Sequence, residues 1–381
     1  MNCRISIVGV GGGGCKIGDR LMAMTSIALP TIAIDTDSKS LLESRATTKL
    51  DIGSNHTNSL GTGGDINLGK LSAEDDIEMI RSLFSETDLA IFVVGLGGGT
   101  GTGAVPVVLG AAHDAGAMTL CFATLPFEFE GERRKTNAEK AVAVIRETTD
   151  SMAVISNDKL AELVGEAGVA ETYERTDEIL GAGVFAIAKL IAEPEYINVD
   201  FVELRRMIAN GGACSFGYGQ GDGKDKAVNA VNSLFGNSLA DGGAVTNAKS
   251  LLVSILGGKD LTVTELRQIR DGVSSKVQAD CRISLGTVID DNWAGRVAIA
   301  MIASEQPIVR HAIVHEQPVS TRDHAATAKS PRGTKKHKMG QTQLIFESSS
   351  KGRFKDAVPT ILDGEDVDIP TYLRRGIIVE K

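Results

Sequence analysis

Gly9, Gly11 and Gly14 stand at G-x-G-x-x-G spacing in VGVGGGGCKIGDRL (8–21), where an apolar strand gives way to a helix. A second strand ends in GLGGGTGTG (95–103), in which every residue but Leu96 is glycine or threonine. A third cluster, LGTGGD (60–65), lies between the two. So much bare backbone cannot pack a core. It can let amide N–H groups close on anionic oxygens at a helix N-terminus, and Thr100 and Thr102 add hydroxyl donors. One such loop, with Asp35 and Asp37 about twenty residues further on, is the pattern of a dinucleotide site. Three amide-rich loops on one sheet edge suit a triphosphate better than a diphosphate.

Carboxylates form the second set. In NVDFVEL (198–204), Asp200 and Glu203 are three apart and share one helix face. An acid followed three residues later by Glu is also a capping box, and spacing alone favours the cap. The second half shows no recognisable catalytic His, Cys or Lys arrangement, which a dinucleotide-dependent oxidoreductase would need.

These residues must be positioned by an α/β framework. RISIVGV (4–10), PTIAID (30–35), LAIFVVG (89–95), AMTLCFATL (117–125) and MAVIS (152–156) read as strands apolar on both faces. Helical stretches such as 73–84 and 105–116 separate them, the pattern of a parallel sheet covered on two sides. The segment 171–193 reads as a long central helix whose second half, apolar nearly all round, belongs between two domains. Beyond it, 251–258, 281–289 and 295–303 read as strands and 263–273 as a helix, giving a smaller α+β domain. The expected division is 1–170, 171–197 for the helix and its connection, 198–305, a linker over 306–357, and a terminal peptide over 358–381.

Composition narrows the function. With 42% apolar but only 4% aromatic residues, the cores must be built from Ala, Val, Ile and Leu. A net charge of -9 argues against general nucleic-acid binding, which needs basic surface. Five dispersed cysteines, none at C-x-x-C spacing, read as reduced thiols inside a cell. The start, MNCRISIVGV, is a strand and not a signal peptide, and no stretch has the length of a membrane span. Residues 306–381 carry 13 Lys+Arg against 9 Asp+Glu, so a basic tail follows an acidic body. Its first part shows no periodicity and reads as disordered, but 366–381 turns apolar again.

GGGTGTG (97–103) resembles the signature of the tubulin superfamily, and its surroundings resemble the bacterial cell-division branch, the FtsZ family. VGVGGGG, GTGGD, GLGGGTGTGAVPV, PFEFEGERR (126–134), ISNDKL (155–160) and NVDFVEL carry the resemblance, in order, across about residues 3–304. It implies a tubulin/FtsZ-like fold and a cytoplasmic GTPase that polymerises head to tail as the scaffold of a mid-cell division ring. The resemblance gives Gly11, Gly12 and Gly13 to the α/β-phosphates and Gly63 and Gly64 to the γ-phosphate. Gly98, Gly99, Thr100, Gly101 and Thr102 would wrap the phosphates. Glu130 would take the ribose, with Arg134 near ribose and phosphate, while Asn157 and Asp177 read the guanine edge and Tyr173 stacks on its face. Asn198, Asp200 and Glu203 would complete the site of the neighbouring subunit. Mg²⁺ would be held mainly by the phosphates, with no dedicated protein metal site. DVDIPTYLRR (366–375) resembles the family's C-terminal peptide, which docks on membrane-anchor proteins. Glu203 stands where the FtsZ branch usually has Asp, and Lys16 and Asp35 where Asn is usual.

Overall fold

The computed structural model describes residues 3–24, 29–192, 197, 199, 201–208, 212–237, 239, 245–304, 361–362 and 365–366. Ten strands form one sheet: β1 (Ile5–Val10), β2 (Thr31–Asp35), β3 (Thr48–Asp51), β4 (Leu89–Gly95), β5 (Met118–Leu125), β6 (Ser151–Ser156), β7 (Gly212–Asp222), β8 (Ser250–Gly257), β9 (Arg282–Ile289) and β10 (Arg296–Ser304). The order is β3-β2-β1-β4-β5-β6-β7-β10-β8-β9. β1 to β6 run parallel. The helices are α1 (Gly11–Met24), α2 (Ser38–Glu43), α3 (Ser54–Thr57), α4 (Ile66–Asp75), α5 (Ile77–Ser82), α6 (Gly99–Asp114), α7 (Glu132–Thr148), α8 (Asn157–Val164), α9 (Val169–Ala192), α10 (Phe201–Ile208), α11 (Lys226–Gly236) and a last one over Val263–Ser274.

Alternation along the strands explains the two layers. Ile5 and Ile7 of β1 and Ile91 and Val93 of β4 face Ile17 and Leu21 of α1 and the inner half of α9. Val8, Val10, Phe92 and Val94 face the other way, toward Val105, Val108 and Leu109 of α6 and Ala138 of α7. A period of two on strands buried on both faces leaves no polar side, so the sheet needs helices above and below.

β7 carries the sheet onward. It pairs parallel with β6 through Ser151↔Gly212 to Ala153↔Cys214, and antiparallel with β10. β10 pairs antiparallel with β8, which runs parallel to β9. A further core forms between these strands, α11 and the last helix, around Leu251, Val253, Ile269 and Ile299. α9 lies against this sheet, with every residue from Leu180 to Ile191 buried. A Cβ on Gly183 would stand 2.4 Å from the Phe216 ring, and Ser254 Oγ donates to the Ala186 carbonyl at 2.7 Å. The helix expected between two domains is therefore a core element.

Local differences have local causes. The single helix expected over 73–84 is broken between α4 and α5 at Asp76, whose carboxylate accepts the Gly53 N–H at 2.6 Å. The helix expected from 105 starts at Gly99, inside the glycine run. Residues 361–362 and 365–366 pair as two short antiparallel strands. The expectations for linker and terminal peptide otherwise lie outside the described residues. Among the described residues no helix is long and apolar enough to cross a membrane, and the five cysteines are free.

Candidate functional site

Sheet order reverses between β1 and β4, so the helices that follow these strands leave in opposite directions and open a crevice at the strand ends. A cavity of about 330 Å³ occupies it. Its floor is the first turn of two helices, Gly11–Gly13 of α1 and Gly99–Gly101 of α6, with Gly98 alongside. The two turns nearly touch. A Cβ on Gly11, which has φ +70°, would meet the Gly101 amide nitrogen at 2.7 Å, and one on Gly101 would meet the Gly95 carbonyl oxygen at 2.6 Å. The glycines are what let two helix N-termini converge. Each first turn has amide N–H groups with no partner inside its helix and a partial positive charge, so the cradle is built for an anion.

The threonines divide the work. Thr100 lines the cavity and shares a 2.6 Å hydrogen bond with Thr36 Oγ1. Thr102 is not in the lining; its hydroxyl accepts the Gly97 N–H at 2.9 Å and braces the loop from behind. Gly63 and Gly64 also stand outside the lining. They take φ of +59° and +85° and turn the chain into Asp65, which caps α4 by accepting from the Asn67 and Leu68 N–H groups. Thr62, from the same cluster, does reach the wall; a hydroxyl embedded in LGTGGD was the signal for it.

The opposite wall is polar and aromatic. Glu130, Arg134, Asn157, Tyr173 and Asp177 all line it, together with Lys16. Glu130 accepts the Phe127 N–H at 3.0 Å and pairs with Arg134. Tyr173 meets Phe127 edge-on, with ring centroids 4.9 Å apart. Burial, and next the nearby Glu130 carboxylate, push its phenol up to about 12. Burial pushes the Asp177 carboxyl up to about 7, against the pull of Lys16 and Arg20 on α1.

Glu203 is not part of this cavity. It lies in the first turn of α10, where Arg282 and Ser284 of β9 hold it. Asn198 and Asp200 lie outside the described residues. The acids expected of a dinucleotide site have other duties: Asp37 caps α2 by accepting the Lys39 N–H, and Asp35 is buried and accepts the Thr36 N–H.

Comparison with known proteins agrees with this geometry. The model of the Tubulin/FtsZ family GTPase domain matches residues 4–165, and that of the FtsZ family C-terminal domain matches 212–306. Cell division protein FtsZ 1 of Archaeoglobus fulgidus is 38% identical over 286 residues, 75% of this chain and 77% of that one. Cell division protein FtsZ of Aquifex aeolicus is 33% identical over 306 residues, 80% of this chain and 83% of that one. The solved empty FtsZ dimer of M. jannaschii superposes with a TM-score of 0.75 at 33% identity, covering 80% of this chain and 88% of that one. CetZ2 from Haloferax volcanii, in a GTPgS-bound protofilament, has a TM-score of 0.63 at 22% identity, covering 81% of this chain and 94% of that one, a likeness of fold.

Proposed function

The chain belongs to the tubulin/FtsZ GTPase family, and from that premise we propose that its two-helix cradle holds the phosphates of GTP while the wall of Tyr173 and Asp177 holds the base. Membership makes it a GTP-binding, GTP-hydrolysing cell-division protein of the filament-forming kind. The dinucleotide oxidoreductase reading has no support in the comparisons. The observation that carries the site assignment is the contact of two helix N-termini at Gly11 and Gly101, one anion cradle assembled from two loops.

Each residue then has a physical task. Amides of Gly11–Gly13 and Gly98–Gly101 and the Thr100 hydroxyl take the phosphate oxygens; Gly63 and Gly64 act from the mouth, where the neighbouring Thr62 lines the wall. Thr102 keeps the loop in shape. Glu130, already fixed by the Phe127 N–H, accepts from the ribose hydroxyls, and its partner Arg134 offsets phosphate charge. Asn157 and Asp177 face the Watson–Crick edge; a carboxylate there accepts from both N1–H and the 2-amino group of guanine, which adenine does not offer. The phosphate side of the lining has amides and hydroxyls but no carboxylate, and the described residues contain no cluster of three metal-ligating side chains. Mg²⁺ would take its ligands mainly from phosphate and water and neutralise charge on the transferred group.

Hydrolysis is shared between copies. On the family resemblance, Asn198, Asp200 and Glu203 act on the nucleotide of the next subunit in a head-to-tail filament, a reading compatible with Glu203 standing outside its own chain's cavity. They orient the attacking water, since phosphoryl transfer asks for positioning more than covalent help. The working place is the mid-cell division site in the cytoplasm, reached through membrane-anchor proteins that bind 366–381. Ile369, Pro370, Tyr372 and Leu373 supply apolar anchors and Arg374 and Arg375 the charge. Removing 366–381 leaves phosphate release and sedimentation at full-length levels and abolishes recruitment to anchor-bearing vesicles; loss of sedimentation as well would make the segment part of the fold.

GTP is tested against ATP and NAD by sedimentation with phosphate release, and only GTP should drive both. Asp177→Ala should weaken GTP binding by about 1–3 kcal/mol, the scale of charge-assisted hydrogen bonds lost. The same carboxylate sets a pH dependence. Its pKa is raised to about 7, so it is protonated below that and accepts poorly; GTP affinity falls as pH drops through 7. The sign for folding is opposite, because the folded chain holds this proton more tightly than the unfolded one: nucleotide-free stability declines as pH rises from the ordinary carboxyl value of 3.8 toward 7. A titration of GTP affinity that is flat from pH 6 to 8 in the parent, or unchanged by Asp177→Ala, removes the base assignment.

A further inference from the structure

Glu203 is held in an unusual way for a residue that has to meet a water on another molecule. Arg282 donates to Glu203 Oε1 from Nε at 3.2 Å and from Nη2 at 2.9 Å, and Ser284 Oγ donates to the same oxygen at 2.6 Å. Among the described residues all three bonds converge on Oε1 and none falls on Oε2. The donors come from β9, 79 and 81 residues further along the chain, so this contact ties α10 to the sheet. α10 is itself anchored by Leu204 and Met207, both buried in the main core.

We propose that Arg282 and Ser284 are positioning residues for hydrolysis: by occupying Oε1 they fix the long Glu203 side chain and leave Oε2 to orient the water at the neighbouring subunit's γ-phosphate. This rests on the reading of Glu203 as part of the shared site. The physical need is plain. Glu has one more torsion than the Asp usual at this position, and an unheld carboxylate on that stem spreads over several rotamers. Orientation counts for more than basicity here, since the attacking water is positioned rather than fully deprotonated in phosphoryl transfer. A carboxylate with one oxygen held by a guanidinium and a hydroxyl presents the other as a well-aimed acceptor. Arg282 can reach a carboxylate on the Glu stem; one methylene less withdraws that carboxylate from both donors.

The test uses the full chain and three measurements: GTP affinity, filament sedimentation, and the kcat and KM of phosphate release. Arg282→Ala should lower kcat about tenfold with KM and GTP affinity within twofold, and Ser284→Ala should lower it less. Arg282→Lys should restore part of the loss. The decisive arm is Glu203→Asp: in that background Arg282→Ala should change kcat by less than twofold, because the shorter carboxylate no longer uses the clamp. Wild-type kcat in both Arg282→Ala and Ser284→Ala overturns the proposal, as does an Arg282→Ala loss that persists undiminished in the Glu203→Asp background. Ser284→Ala carries the same test should Arg282→Ala fail to fold. Glu203→Gln separates the two levels. If it hydrolyses at the wild-type rate, the catalytic reading of Glu203 falls and the clamp with it; if it is impaired while both clamp variants are normal, only the clamp falls.

Discussion

Alanine at Asp200 leaves GTP binding and filament assembly in place and lowers phosphate release about a hundredfold, the usual scale for a positioned acid–base group. Binding should survive because the proposed phosphate cradle at Gly11 and Gly101 and the proposed base wall at Asp177 belong to other elements. In the parent, activity per molecule should rise steeply above a threshold protein concentration if, as proposed, complete sites form only where two copies meet. Mixing gives the sharper result. Asp200→Ala keeps a sound nucleotide cavity, a cradle variant keeps sound acids, and each contact that joins the two correctly restores one complete site. Specific activity that is level across concentration, with Asp200→Ala hydrolysing normally, would reduce the acids of NVDFVEL to a helix cap.

Valine at Gly101 supplies that second partner and has the larger effect on binding. Its Cβ would stand 2.6 Å from the Gly95 carbonyl oxygen and 3.4 Å from that of Val10, so the obstruction is backbone at the ends of β4 and β1. Neither strand can give way without disturbing the sheet. Either the first turn of α6 moves off the cradle or the domain is strained, at a cost of about 3 kcal/mol, on the order of a hundredfold in GTP affinity. Gly110 is the control on the same helix: a Cβ there meets nothing within 4 Å, and Gly110→Ala should bind GTP normally and melt slightly higher. Equal GTP affinity for Gly101→Val and Gly110→Ala in a titration would mean that the cradle is not where the phosphates sit.

β1, β2, β4, β5 and β6 were legible because they are short, mostly apolar runs buried on both faces, and LAIFVVG coincides with β4 residue for residue; β3, TKLD at the sheet edge, is polar and carries no such signal. β7 was not legible either. GACSFGYGQGD reads poorly as a strand, with four glycines in eleven residues, and the reason is a packing partner. A Cβ at Gly219 would strike the Leu234 amide nitrogen at 2.3 Å, and one at Gly221 the Lys226 carbonyl oxygen at 2.3 Å, so α11 lies directly on the strand. The glycine runs were read as an anion cradle, yet they hid that α1 and α6 begin inside them, because glycine is a poor helix former except where the first turn must stay bare. Most of the cavity lining could be named from ordered motifs. Thr36 against Thr100 could not, and neither could Arg282 against Glu203, since contacts across 64 and 79 residues leave no local trace.

α9 meters the molecule. Twenty-four residues at helical rise make a rod about 36 Å long. Tyr173 and Asp177, the proposed base wall, sit in its first turns, and the acid-bearing stretch begins shortly after its last residue, Ala192. The inner half, Leu180 to Ile191, is locked into a packed interior that neither stretches nor shortens appreciably. On the proposed assignment, the rod sets a constant length between the base wall and Ala192, the point from which the chain leads on to NVDFVEL. Copies stacked end to end repeat that interval like the divisions of a scale, whichever nucleotide they hold. On this reading, a nucleotide-dependent change that leaves the rod intact is expressed where one division meets the next, as a tilt more readily than as a change of length.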